Sequence, residues 1–127
     1  MNEDKRILIV DDEEKILNIF SKQLNLLGHF NVDTALGGNS GLEKLKKVNY
    51  DVLLLDLMMP DKDGLEVLKE ISQFNFKPKI IILTNLISEE QKKLTRDFGV
   101  SDYVIKTEVD PNDLINKIKN LLTIPSH

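Results

Sequence analysis

Apolar positions along the chain follow two periods that alternate. Ile7-Leu8-Ile9-Val10, Val52-Leu53-Leu54-Leu55 and Ile80-Ile81-Ile82-Leu83 are unbroken apolar runs, the pattern of strands covered on both faces, and their β-branched content favours strand over helix. Phe30 to Ala35 alternates apolar with polar, and Asp102 to Ile105 sets Tyr103-Val104-Ile105 between polar neighbours; both read as weaker strands. Between the runs lie stripes at helical spacing. Ile16, Phe20, Leu24 and Leu27 form the first, Leu42, Leu45 and Val48 the second, and Leu65, Leu68 and Ile71 the third. Leu94 and Phe98 anchor a fourth, and Leu114, Ile118, Leu121 and Leu122 a fifth. Gly28 and Gly99 stand where C-terminal helix caps belong, while Ser88 and Asp110 are placed as N-caps, the latter followed by Pro111.

Strand and helix therefore alternate five times, which predicts an α/β domain with a parallel sheet between two helical layers. Right-handed crossovers leave the flavodoxin-like doubly wound (βα)5 fold, strand order 2-1-3-4-5, as the expected topology. No repeat, low-complexity stretch or linker interrupts the pattern. A single domain over 1–127, with its core at about 5–122, is expected, and Thr123 to His127 reads as a frayed end or cut linker.

Composition narrows the classes. The chain has 127 residues, 41% of them hydrophobic, and a formal net charge of -4. Its lysines are scattered along helices instead of forming a basic stripe, which argues against direct nucleic-acid binding. The absence of cysteine removes disulfides, thiolate nucleophiles and cysteine-bound metals. The charged start Met1 to Arg6 is followed by an apolar run far too short for a signal peptide or membrane span. A soluble cytoplasmic protein with no membrane association is the expectation.

The candidate chemistry lies at strand ends. Asp11-Asp12 closes the first run, Asp56 the third, Thr84 the fourth, and Lys106 follows the fifth. In parallel strands these positions share the carboxyl edge of the sheet, where open α/β folds bind ligands. Three converging carboxylates repel unless a cation neutralises them. Mg²⁺ suits such oxygen donors, and Mn²⁺ fits the same set. The plain reading of Asp12 is an N-cap for the helix starting near Glu13. Lys106 and Thr84 also have plain readings, as a solvated lysine and a β-branched strand residue. Together, an ammonium and a hydroxyl beside a metal-bound carboxylate supply what a phosphoryl group needs, with Asp56 as the nucleophile.

Over essentially its whole length the chain resembles the receiver domain of bacterial two-component response regulators, in particular the chemotaxis type. The resemblance rests on Ile9-Val10-Asp11-Asp12-Glu13, on Leu54-Leu55-Asp56-Leu57-Met58-Met59-Pro60-Asp61-Lys62-Asp63-Gly64, on Thr84, and on Tyr103-Val104-Ile105-Lys106. It implies that Asp56 is the phosphoacceptor, with Asp12 a direct Mg²⁺ ligand, Asp11 a ligand through water, and the Met58 backbone carbonyl another ligand. It implies that Thr84 and Lys106 bind the phosphoryl group and that Tyr103 is the switch aromatic. By the same resemblance the phosphodonor is a histidine kinase or phosphotransfer protein. The domain is then a regulatory phosphoacceptor that assists its own transfer and dephosphorylation, not an enzyme in its own right. Its readout is a changed face of the fourth helix, fifth strand and fifth helix. That face meets a downstream protein target or an output domain missing from this chain, and the implied assembly is a monomer or a weak homodimer through it.

Three departures from the family pattern bear on the site. Thr107 replaces the usual proline after the lysine, which predicts a trans Lys106–Thr107 bond because a cis bond before a non-proline residue costs about 2.5 to 4 kcal/mol. Asn85 is larger than the usual alanine or serine, and Met58 and Leu86 are apolar where relatives carry groups that position a hydrolytic water. Competing readings fare worse. An EF-hand loop on Asp61-Lys62-Asp63-Gly64 with Glu70 puts Met59 at its first ligand position. A haloacid-dehalogenase-type phosphatase needs an acid where Met58 stands, and His29 and His127 assemble no hydrolase triad. The remaining alternative is a pseudo-receiver that binds partners without being phosphorylated.

Overall fold

All five candidate runs form strands. The computed structural model describes residues 2–123, and after a 3-10 turn at Asn2–Asp4 it alternates β1 (Arg6–Asp11), α1 (Glu14–Leu26), β2 (Asn31–Leu36), α2 (Gly38–Lys47), β3 (Val52–Asp56), α3 (Gly64–Ile71), β4 (Lys79–Thr84), α4 (Glu89–Arg96), β5 (Val100–Ile105) and α5 (Pro111–Leu122). The strands are parallel in the order β2-β1-β3-β4-β5, as expected. Residues 124–127, which hold His127 and most of the expected frayed tail, lie outside the described residues.

Strand alternation sorts the core into two layers. Ile7, Ile9, Val52, Leu54, Ile81 and Leu83 point to the face covered by α1 and α5, where Phe20, Leu24, Leu114 and Ile118 meet them. Leu8, Val10, Leu53, Leu55, Ile80 and Ile82 point to the opposite face, against Leu42, Leu45, Val67, Leu68 and Ile71 of α2 and α3. Continuous apolar runs follow directly, since both faces of the central strands are dry.

The helix boundaries confirm some of the expected caps and correct others. Ser88 caps α4 by accepting from Gln91 N at 3.1 Å, and Asp110 caps α5 by accepting from Asn112 N at 2.8 Å. Asp12 is not an N-cap: α1 begins one residue later, with Glu13 at the cap position and no side-chain cap bond. Gly99 takes the left-handed conformation (φ 76°) past α4. After α1 that conformation falls on His29 (φ 60°), not on Gly28. Gly28 serves close approach instead, because a Cβ there would stand 2.7 Å from the Phe30 ring.

Two stripes also shift. In α1 the buried residues are Leu17, Phe20 and Leu24, while Leu27 is exposed. In α4 the expected anchor Leu94 is 53% exposed, and the one buried residue is Thr95. Phe98, half-buried, lies beyond the end of α4.

Candidate functional site

Register carries the site residues to one rim. Val10 pairs with Leu55, so Asp11 and Asp56 end adjacent strands; Asp56 pairs with Leu83, and Thr84 with Ile105, immediately before Lys106. Alternation then places Asp11 and Asp56 on the parity of Ile9 and Leu54, the α1/α5 side, and Thr84 on the parity of Ile82, the other side. Gly64 lets α3 start directly over this rim, since a Cβ there would meet Asp56 O and Leu57 Cα at 2.7 Å. The rim opens into a cleft of about 360 Å³ whose lining includes Asp12, Asp56, Thr84 and Lys106.

Asp11, Asp56, Thr84 and Lys106 are all buried, whereas Asp12 is exposed at the mouth. Lys106 Nζ lies 3.0 Å from Asp11 Oδ2, 3.2 Å from Glu13 Oε1 and 3.4 Å from Asp56 Oδ2. Backbone groups fix the two acids: Glu13 N donates to Asp11 Oδ1 at 2.9 Å, and Met58 N to Asp56 Oδ1 at 3.1 Å. Lys106 N donates to Thr84 O at 2.8 Å, which anchors the root of the lysine to β4. The Lys106–Thr107 bond is trans, as are all the described peptide bonds.

Burial is the main electrostatic force in the cleft. It pushes the Asp56 carboxyl up to about 6, helped by the nearby Asp11 charge and opposed by Met58 N–H and Lys106. Burial also raises Asp11, against the hydrogen bonds from Glu13 N and Lys106. For Lys106 burial acts in the other direction, but the Asp11 hydrogen bond and the Asp56 charge outweigh it and hold the ammonium above its usual pKa. One cation thus serves several acids that are costly to keep charged.

Asp11, Asp12 and Asp56 each bring a carboxylate oxygen within 4.8 Å of the others. Hard oxygen donors with excess negative charge fit a hard divalent cation, so the donor set matches the expected Mg²⁺. The rejected EF-hand loop also fails in space. Asp61 accepts from Gly38 N and Asn39 N, both at 3.1 Å, and so closes the start of α2. Asp63 caps α3 through Glu66 N at 2.9 Å.

Thr84 lines the same cleft but bonds its hydroxyl to the backbone, and Tyr103 is not among the residues lining it. Thr84 Oγ1 donates to Leu86 O at 3.0 Å and accepts from Leu86 N at 3.3 Å. Tyr103, half-buried, joins its hydroxyl to Thr95 Oγ1. Because the Thr95 hydroxyl donates to Gln91 O at 2.8 Å, the tyrosine is the donor of that pair. Sequence reasoning missed Thr95 and the Glu13 side chain. Glu13 was visible as a third consecutive acid and as the end of the Ile9–Glu13 stretch, neither of which assigns its side chain a partner, and a threonine in a polar helix carries no signal of burial.

Residues 7–119 match the family model described as the response regulator receiver domain. The chain is 36% identical over 117 residues to the response regulator ArlR of Staphylococcus aureus, a match covering 92% of this chain and 52% of ArlR. It therefore spans about half the length of that curated relative. Among solved structures, a CheY-like receiver domain protein from Methanospirillum hungatei superposes with a TM-score of 0.85 at 34% identity, covering 93% of each chain. The response regulator TrrA of Thermotoga maritima, solved with Mg²⁺ and BeF, gives 0.80 at 36% identity, covering 92% of this chain and 98% of that one.

Proposed function

Because the chain belongs to the response regulator receiver domain family, we propose that it is a phosphoacceptor switch in which Asp56 takes a phosphoryl group from a histidine kinase or phosphotransfer protein. The observation that carries this reading is the buried Asp56 carboxylate, held by Met58 N–H and flanked by Lys106, Asp11 and Asp12 at one sheet edge. An Asp56 oxygen bonds to phosphorus as the bond from phosphorus to the donor imidazole nitrogen breaks. The imidazole leaves with that electron pair, neutral when its other nitrogen carries a proton. Asp56 must be ionised to attack; Met58 N–H and Lys106 favour that form against the burial that raises its carboxyl to about 6.

Asp11, Asp12, Asp56 and the Met58 carbonyl are the groups to hold Mg²⁺, with Mn²⁺ as a substitute. When bound, the metal supplies charge neutralisation for the acids and the incoming phosphoryl oxygens. Lys106, 3.4 Å from Asp56 Oδ2, would neutralise a further phosphoryl oxygen. Thr84 now spends its hydroxyl on the backbone of Leu86; donating to a phosphoryl oxygen makes it abandon Leu86 and reshapes the loop into α4. Tyr103 reads that change through Thr95, and α4, β5 and α5 present it to a target or output domain. Turning a 1:99 equilibrium into 99:1 takes about 5.5 kcal/mol of differential stabilisation.

Intact-mass spectrometry after treatment with acetyl phosphate tests the reading. Incorporation of one phosphoryl group is expected in the wild type with Mg²⁺ and not with EDTA, and none in Asp56→Asn. Equal labelling of both proteins removes Asp56 as acceptor. No labelling of the wild type by either acetyl phosphate or a phosphorylated kinase favours the pseudo-receiver.

A further inference from the structure

Glu13 sits at the mouth of the cleft with its side chain 55% exposed. It occupies the cap position of α1, yet its carboxylate makes no cap hydrogen bond. Its two ends work elsewhere: the backbone N–H donates to Asp11 Oδ1 at 2.9 Å, and Oε1 lies 3.2 Å from Lys106 Nζ.

An ammonium has three N–H bonds, and Lys106 meets three carboxylates, at 3.0 Å (Asp11), 3.2 Å (Glu13) and 3.4 Å (Asp56). Two of the three, Asp11 and Asp56, also belong to the acid cluster. Lys106 and a divalent cation therefore draw on the same two carboxylates. Glu13 is the partner of Lys106 outside that cluster, and it pulls from the solvent side.

We propose that Glu13 is a positioning residue for Lys106, taking a share of its ammonium from the solvent side so that Asp11 and Asp56 are less fully committed to it and more available to a divalent cation. This rests on the reading of Asp11, Asp12 and Asp56 as the metal site. The competing account is simple electrostatics, in which one more negative charge at the rim attracts the cation whatever Lys106 does.

Titration calorimetry with Mg²⁺ alone, which involves no phosphoryl transfer, separates the two accounts. Glu13→Gln is expected to weaken Mg²⁺ binding about 3- to 10-fold, the size of coupling found within one ion-pair network. In a Lys106→Met background the same change should cost less than about twofold, the remainder left by a screened exposed charge. Glu13→Asp gives a second, independent arm. Aspartate at this position is a strong N-cap, so its carboxylate turns to the α1 amides and away from Lys106. That variant should melt higher and still bind Mg²⁺ more weakly than the wild type. Equal losses with and without Lys106, or wild-type affinity in Glu13→Asp, overturn the proposal while leaving the metal site intact. Failure of the wild type to bind Mg²⁺ overturns the site and the proposal together. The Glu13→Asp arm needs no change at Lys106, so the proposal stays falsifiable if the lysine variants do not fold.

Discussion

Towards the amino rim of the sheet, Tyr50, Asp33 and Arg6 hold one another. The Tyr50 hydroxyl donates to Asp33 Oδ2 at 2.6 Å, Arg6 Nη2 lies 3.5 Å from the same oxygen, and the guanidinium stands 5.7 Å from the centre of the Tyr50 ring. Arg6 N also donates to Asp51 Oδ2 at 2.8 Å, which ties the start of β1 to the turn before β3. At the carboxyl rim a single ammonium faces Asp11, Glu13 and Asp56, with Asp12 beside them. Both clusters join acids, a cation and burial, but they differ in balance. Burial and the hydrogen bond to Asp33 push the Tyr50 hydroxyl up to about 12, which keeps it a neutral donor at any working pH. Burial of Asp56 leaves a carboxyl near 6 that is charged at a cost. At the amino rim Arg6 pairs with Asp33, while Asp51 is held by a backbone amide, so the cluster acts as a joint between elements. A cluster with unmatched charge is completed from outside the chain.

The contrast breaks most sharply under Mg²⁺. At a hundredfold excess over its dissociation constant the metal should stabilise the wild type and Tyr50→Phe alike by about 2.7 kcal/mol, and Asp12→Ala and Asp56→Asn far less, as read from thermal melts. A Tyr50→Phe protein that loses the response would mean that the two rims are not independent. In Asp12→Ala no helix cap is lost, since α1 is capped at Glu13, so its metal-free stability should match or exceed that of the wild type.

Without metal, pH should act through the carboxyl rim. Asp56 and Asp11 are raised in the folded protein, so between their unfolded and folded pKa values the native state binds more protons than the unfolded one. Stability therefore rises as pH falls from about 7 towards 4.5, by at most about 3 kcal/mol for the shift of Asp56 from 3.8 to about 6. Asp61 and Glu70, lowered by backbone amides and by Lys62 respectively, act in the opposite sense, Glu70 from the lower end of that window and Asp61 mainly below it. Urea melts should show the rise in the wild type and a flatter profile in Asp56→Asn; a wild type that loses stability across the window contradicts it.

The smallest effect belongs to the amino rim. Tyr50→Phe removes one hydrogen bond from a joint in which Asp33 keeps Arg6, and should cost about 1 kcal/mol. Acetyl-phosphate labelling of Asp56 should be unchanged in that variant, and a slowed reaction would show that the joint positions the site.

Sequence by itself determined the sheet, its order and the residues at its carboxyl rim. A strand buried on both faces must be apolar throughout, so a polar residue ending such a run is visible as an exception. Asp11, Asp56 and Thr84 announce themselves this way, whereas Lys106 follows the partly buried edge strand β5 and stands out less. Tertiary structure alone decided what those residues touch. Leu94 and Leu27 fit helical stripes yet face solvent, while Thr95 is buried because α4 meets the sheet at Tyr103, a hydroxyl that needs an acceptor. Asp12 reads as a cap, but the turn out of β1 brings Glu13 N onto Asp11 and starts α1 one residue later. The hold of Glu13 on Lys106 spans 93 residues. Periodicity records how one element averages its burial, whereas a contact across that separation exists only once register, twist and helix packing have set the distance between the two strand ends.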